Sequence, residues 1–121
     1  MADFKGFKID GKEYPWGDYV TVGKQEGSIV GEYATAEGYS TTASGDECHA
    51  EGAFTTALDT ASHAEGQHTT AAGSSSHAEG NYSTASGTAS HAEGNNTTAS
   101  GDYAHAEGFV TIANHKAQHV F

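Results

Sequence analysis

Alanine stands at every seventh position from Ala36 to Ala113, twelve times without a gap. Two residues after each comes glycine, except where Asp59 and His115 take its place. The heptads alternate in kind. One reads HAEG, at His49, His63, His77, His91 and His105; the other reads TASG or a near variant, at Thr42, Thr56, Thr70, Thr84 and Thr98. The repeat is thus fourteen residues long, and it fades into SIVG at Ser28 and TAEG at Thr35. A phase kept this strictly argues for a repeat architecture and against disorder, which makes no demand on phase.

A heptad period invites a coiled coil, but this one excludes it. Glycine costs about 1 kcal/mol in a helix interior, and Thr and Ser are weak helix formers. Leu58 is the one leucine, so there is no apolar seam. Glycine at a fixed phase after small and β-branched residues suits short strands joined by tight corners. The pattern predicts an all-β parallel β-solenoid with fourteen residues, two strands and two corners per turn. Asp59, in a glycine's place, is expected to break a corner. Roughly six turns about 4.8 Å apart make a rod about 30 Å long.

Strand alternation sorts the side chains. The alanine column points inward. So do Ala34, Cys48, Ser62, Ser76, Ser90 and Ala104, and Thr41, Thr55, Thr69, Ser83 and Thr97. The lumen is narrow, and Cys48 is a small filler in it; a single cysteine also excludes an intrachain disulfide framework. His49, His63, His77, His91 and His105 point outward beside Glu51, Glu65, Glu79, Glu93 and Glu107, with Glu37 heading the glutamate column. Like charges about 4.8 Å apart repel by about 3 kcal/mol at an effective dielectric near 20. A bare glutamate ladder is therefore costly if buried, and the histidines beside it offer hydrogen bonds or positive charge. This face is expected to form a subunit interface, with the histidine of one protomer meeting the glutamate of another. If those histidines are charged, their folded pKa is raised. That stabilisation is present below about pH 6.5 and lost as pH rises through the folded value.

Other chemistry at these residues competes with that structural ladder. Catalysis needs a singular site, whereas this constellation recurs five times identically; no enzyme and no cofactor are expected. Histidines His49, His63, His77, His91 and His105 could act as axial metal ligands, three symmetry copies to one ion, but their spacing is not that of a dedicated zinc site. On the opposite face, Thr42, Thr56, Thr70, Thr84 and Thr98 form a threonine ladder of the kind that can bind ice, interrupted in the neighbouring column by Leu58 and Ala72.

Outside the repeat the chain changes character. Residues 1–24 hold a hairpin signal at Asp10-Gly11 and concentrate Phe4, Phe7, Tyr14, Trp16 and Tyr19, an attachment surface or end cap. Residues 25–114 are the solenoid, and residues 115–121 close it with His115 in place of glycine. The formal net charge is −11, with five Lys and Arg together. A chain this acidic does not bind nucleic acid through its phosphates, nor an anionic membrane surface. It has no apolar run of spanning length, and MADFKGFKID lacks the apolar core of a signal peptide.

Paired heptads such as HAEGNNTTASGDYA resemble the head repeats of trimeric autotransporter adhesins, and more specifically the HAEG variant in tail-fibre and appendage proteins of phages and prophages of Gram-positive bacteria. The likeness covers about residues 28–114. It implies a left-handed parallel β-roll that forms a homotrimer, with the His and Glu columns toward the three-fold axis. Adhesin heads carry apolar residues there, so this interface is expected to be polar and pH-sensitive. TIANHKAQHVF is similar to the stretch that leads, in some phage appendage proteins, into a self-cleaving chaperone. The expected role is a non-enzymatic fibre or appendage of a phage tail or phage-like particle, assembled in the host cytoplasm and carried on the virion. Its expected partners are itself, other tail proteins through residues 1–24, and a host surface receptor reached through the Thr/Ser face, through corners such as Tyr82, Asn95, Asn96 and Tyr103, or through the C-terminal tip. A bacterial surface adhesin head and an ice-binding solenoid are the alternatives.

Overall fold

The computed structural model describes residues 6–9, 12–15, 20–24 and 30–121. Strands β1 (Gly6–Ile9) and β2 (Lys12–Pro15) pair antiparallel, with Phe7 opposite Tyr14, where the sequence places a hairpin. The turn residues 10 and 11, and Phe4, Trp16 and Tyr19 of the expected attachment surface, lie outside the described residues. Among the described residues no helix is long and apolar enough to cross a membrane.

From β3 (Val20–Lys24) onward every pairing is parallel. β4 (Thr35–Ala43) is long enough to run along both faces of the first turn, so it heads two ladders. One ladder is β5 (His49–Ala53), β7 (His63–Gln67), β9 (His77–Asn81), β11 (His91–Asn95), β13 (His105–Phe109) and β15 (His119–Val120). The other is β6 (Thr56–Ala57), β8 (Thr70–Ala71), β10 (Thr84–Ala85), β12 (Thr98–Ala99) and β14 (Ile112–Ala113). Each strand pairs with the one fourteen residues away, histidine on histidine, alanine on alanine and glutamate on glutamate. This is the β-solenoid of about six turns that the period predicts. The segment from residue 115 onward does not leave the coil: β15 pairs with β13, setting His119 on His105.

The inward columns are as the alternation sorts them. Alanines 36 to 113 of the heptad series are fully buried, as are Thr41, Thr55, Thr69, Ser83 and Thr97. Cys48 is buried too; its Sγ lies 3.5 Å from the Ala57 carbonyl, and burial pushes its thiol pKa up. With a lumen of small groups worth about 0.8 kcal/mol per buried methylene, the main-chain ladders carry much of the fold. Residues between strands continue them, as in His63 N–H to Ser76 O at 2.9 Å and Thr84 N–H to Thr97 O at 2.9 Å.

The corners are built differently from the expectation. The left-handed positions recur every seventh residue from Tyr33 to Ala117, and none of them is glycine; φ is 56° at Ala61, 58° at Tyr82 and 54° at Ala89. At the corners glycine serves close approach instead, while the column from Gly38 to Gly94, spaced by fourteen inside the strands, combines close approach with φ of 105–116°. A Cβ on Gly80 would run into the Gly94 carbonyl one turn on, and one on Gly87 into the Gly101 carbonyl. Asp59 does not break its corner. Its carbonyl accepts from Ser62 N–H at 3.1 Å, as Gly73 does from Ser76, and its Oδ1 accepts from Thr60 N–H at 2.7 Å. The side chain thus caps the turn it was expected to disrupt.

Candidate functional site

The face built by β5, β7, β9, β11, β13 and β15 carries two parallel columns. Alternation turns His and Glu outward around a buried alanine, and the in-register pairing stacks like on like. Imidazoles from His49 through His119 stack face to face with centroids 4.6–4.7 Å apart. His119 belongs to this column, although the sequence sets it apart; its spacing of fourteen from His105 is the signal that finds it. All these rings and their carboxylates are about one-third exposed, except at the two ends.

Each histidine of this column from His49 to His105 meets two carboxylates of its own chain, and His119 at the end meets Glu107. Nε2 donates to the glutamate one turn back: His49 to Glu37 at 3.1 Å, His91 to Glu79 at 3.2 Å, His105 to Glu93 at 3.1 Å and His119 to Glu107 at 3.2 Å. The glutamate of the same strand lies 3.7–3.9 Å away. These pairs join neighbouring turns of one chain. The reason is geometric: His and Glu are two apart on one strand, and the fourteen-residue register brings the previous glutamate alongside.

His63 departs from the pattern. Its Nε2 stands 3.7 Å from Glu51 and 3.7 Å from Glu65, too far from either for a hydrogen bond, and the atom is shut off from solvent. Its pKa is lowered, first by burial and then by His77 and His49. The expectation of a raised histidine pKa is corrected at this position: here loss of solvent and like-charge neighbours outweigh the two carboxylates. Glu93 is held down to about 2, by hydrogen bonds from Glu79 and Glu107 and then from His105. A carboxyl donates such a bond only while it is itself protonated.

Beside the glutamates runs the column Gly52, Gly66, Gly80, Gly94 and Gly108, with φ between 105° and 116°. Having no side chains, it leaves an open groove walled by Glu51, Glu65, Glu79, Glu93 and Glu107, with Phe121 at the C-terminal end. On the other ladder Thr42, Thr56, Thr70, Thr84 and Thr98 are in register and half-buried, and Ile112 ends the column. A third feature was not read from the sequence. At one corner Phe54, His68 and Tyr82 stack at 4.8 and 4.6 Å, with Tyr39 edge-on to Phe54 at 5.3 Å. They sit fourteen apart, but their unlike chemistry hides the column.

No solved structure and no curated protein matches the chain. A family model does: the YadA head domain repeat matches residues 64–90, 82–104 and 92–108.

Proposed function

We propose that this chain is a structural, adhesive rod that works as a homotrimer and forms a fibre or appendage of a phage tail or phage-like particle. The observation that carries the reading is the match of the YadA head domain repeat to residues 64–108, because YadA heads are structural adhesin domains that trimerise. The His/Glu face and its glycine-floored groove supply the surface for docking copies: His49, Glu51, His63, Glu65, His77, Glu79, His91, Glu93, His105 and Glu107 face the three-fold axis. Five identical constellations argue for architecture rather than catalysis. The HAEG form of the repeat supports the phage particle, and residues 1–24 are the segment proposed to join it. A bacterial surface head is the second reading, favoured by the same family match.

Light scattering on the size-exclusion peak tests the assembly. A mass three times the 12.5 kDa chain supports it, and a monomer at micromolar concentration overturns it. Gene neighbours encoding tail proteins separate the phage particle from the bacterial surface.

A further inference from the structure

The His and Glu columns interleave so that every inner glutamate lies between two imidazoles. His49, Glu51 and His63 each bring one ligand atom to within 4.8 Å of the other two, and the same holds for His63–Glu65–His77, His77–Glu79–His91, His91–Glu93–His105 and His105–Glu107–His119. Imidazole nitrogen with carboxylate oxygen is the donor set of zinc-class ions, whose bonds to such atoms are about 2.0–2.2 Å. Tetrahedral ligand atoms at those lengths stand about 3.3 Å apart. The His–Glu separations of 3.1–3.9 Å bracket that value. The two imidazoles of each set are stacked 4.6–4.7 Å apart, so closure draws their Nε2 atoms together by about 1.4 Å, a tilt of both rings that their one-third exposure leaves room for.

Two further observations point to a cation here. Nε2 of His63 is shut off from solvent, makes no hydrogen bond and is held 3.7 Å from a carboxylate oxygen on either side. The glutamate column also lacks a fixed cation: the one lysine among residues 30–121 is Lys116, which lies over the Tyr103 ring at 5.8 Å on a different corner. With neutral imidazoles the column keeps its negative charge, at about 3 kcal/mol of repulsion per neighbouring pair at an effective dielectric near 20.

We propose that this face binds divalent transition-metal ions of the zinc class, each held by two imidazoles and the carboxylate between them, and that three ions fill one chain. The number follows from the sharing of ligands. Adjacent sets share a histidine, and one Nε2 serves one ion. Using each histidine once leaves His49–Glu51–His63, His77–Glu79–His91 and His105–Glu107–His119, with ions two turns, about 9–10 Å, apart. All donors come from one chain, so the inference stands apart from the trimer. Each ion ties neighbouring turns together and stabilises the coil by mass action.

The test is a titration of EDTA-stripped protein with zinc chloride at pH 7.5. Calorimetry and elemental analysis after desalting read the stoichiometry. Three zincs per chain, with a melting temperature that climbs with free zinc, are expected. Glu79→Gln removes the middle carboxylate, and every way of pairing the remaining sets then leaves two zincs per chain; circular dichroism checks that the coil persists. The intact protein gives a second readout by NMR: zinc shifts the imidazole resonances of the six column histidines and leaves His68 and His115 in place. No retained zinc, three zincs in Glu79→Gln, shifts at His68 and His115 equal to those in the column, or one zinc per three chains would each overturn the proposal. The last result would assign the ion to an axis between protomers.

Discussion

Glu93 holds Oε2 3.8 Å from Nε2 of His91 on its own strand and Oε1 3.1 Å from Nε2 of His105 one turn on, so one carboxylate spans two turns of the coil. Repeated along the face, this makes a chain of alternating acid and base that no single residue owns. Hydrogen bonds of this kind within one chain answer the carboxylates without a second protomer, but with neutral imidazoles they leave the column's negative charge in place.

Acid should loosen the coil in two stages. His63 has a lowered folded pKa, so below about pH 6.5 the unfolded chain takes a proton that the folded chain refuses, and stability is lost as pH falls through the folded value. Glu93, depressed to about 2 from 4.5, contributes stability that is present above 4.5 and lost as pH falls toward 2. Melting temperature at low ionic strength should therefore be flat from about pH 8 to 7, fall as pH drops below about 6.5, and fall again below 4.5. A melting temperature that rises on acidification from pH 7 to 5 would show that charged histidines stabilise the fold.

The two kinds of special backbone position predict opposite responses to one methyl group. Gly80 has φ 105°, and a Cβ there meets the Gly94 carbonyl. Gly80→Ala should cost of order 1–3 kcal/mol from the conformation alone, plus the clash. Ala89 is exposed at φ 54°. Ala89→Gly relieves about 1–2 kcal/mol of left-handed strain and restores about 0.5–1 kcal/mol of unfolded-chain entropy, a net gain of about 0.5–1 kcal/mol. Urea midpoints of the two variants on either side of the parent are the expected result; Ala89→Gly below the parent would show that the corner is not strained.

The period of the alanines made the coil legible, because a fourteen-residue register and strand alternation together decide which side chains enter the lumen. That same logic placed His63 and Glu65 outward and Thr69 inward. It could not place the corners. Glycine usually marks a left-handed turn, but here Tyr82, Ala89 and Val110 take that conformation while Gly80 and Gly87 make room for a neighbouring turn. The pairing within the chain was hidden for a related reason: His105 and Glu93 are twelve apart, a separation that acquires meaning only once the turn length is fixed. Asp59 looked disruptive because its ability to cap its own turn depends on the turn being there.

The lumen itself carries a last prediction. Thr55 and Thr69 are fully buried, and their hydroxyls have no hydrogen-bond partner. An unmet buried hydroxyl costs about 1–3 kcal/mol, and removing it with a group of the same shape is neutral or better. Thr69→Val should therefore leave the urea midpoint unchanged or raise it. Ser90 is the contrast: its Oγ donates to the Gly87 carbonyl at 2.7 Å across the corner. Ser90→Ala should lower stability by about 0.5–1.5 kcal/mol. Thr97 lies between these cases, donating to Ser83 Oγ at 2.9 Å; Thr97→Val leaves Ser83 with only its 3.3 Å donation to the Gly94 carbonyl and should cost more than Thr69→Val. The order Thr69→Val above Thr97→Val tests whether the lumen is stabilised by shape or by its hydroxyls. Equal losses at both threonines would mean that Thr69 is satisfied by water inside the coil.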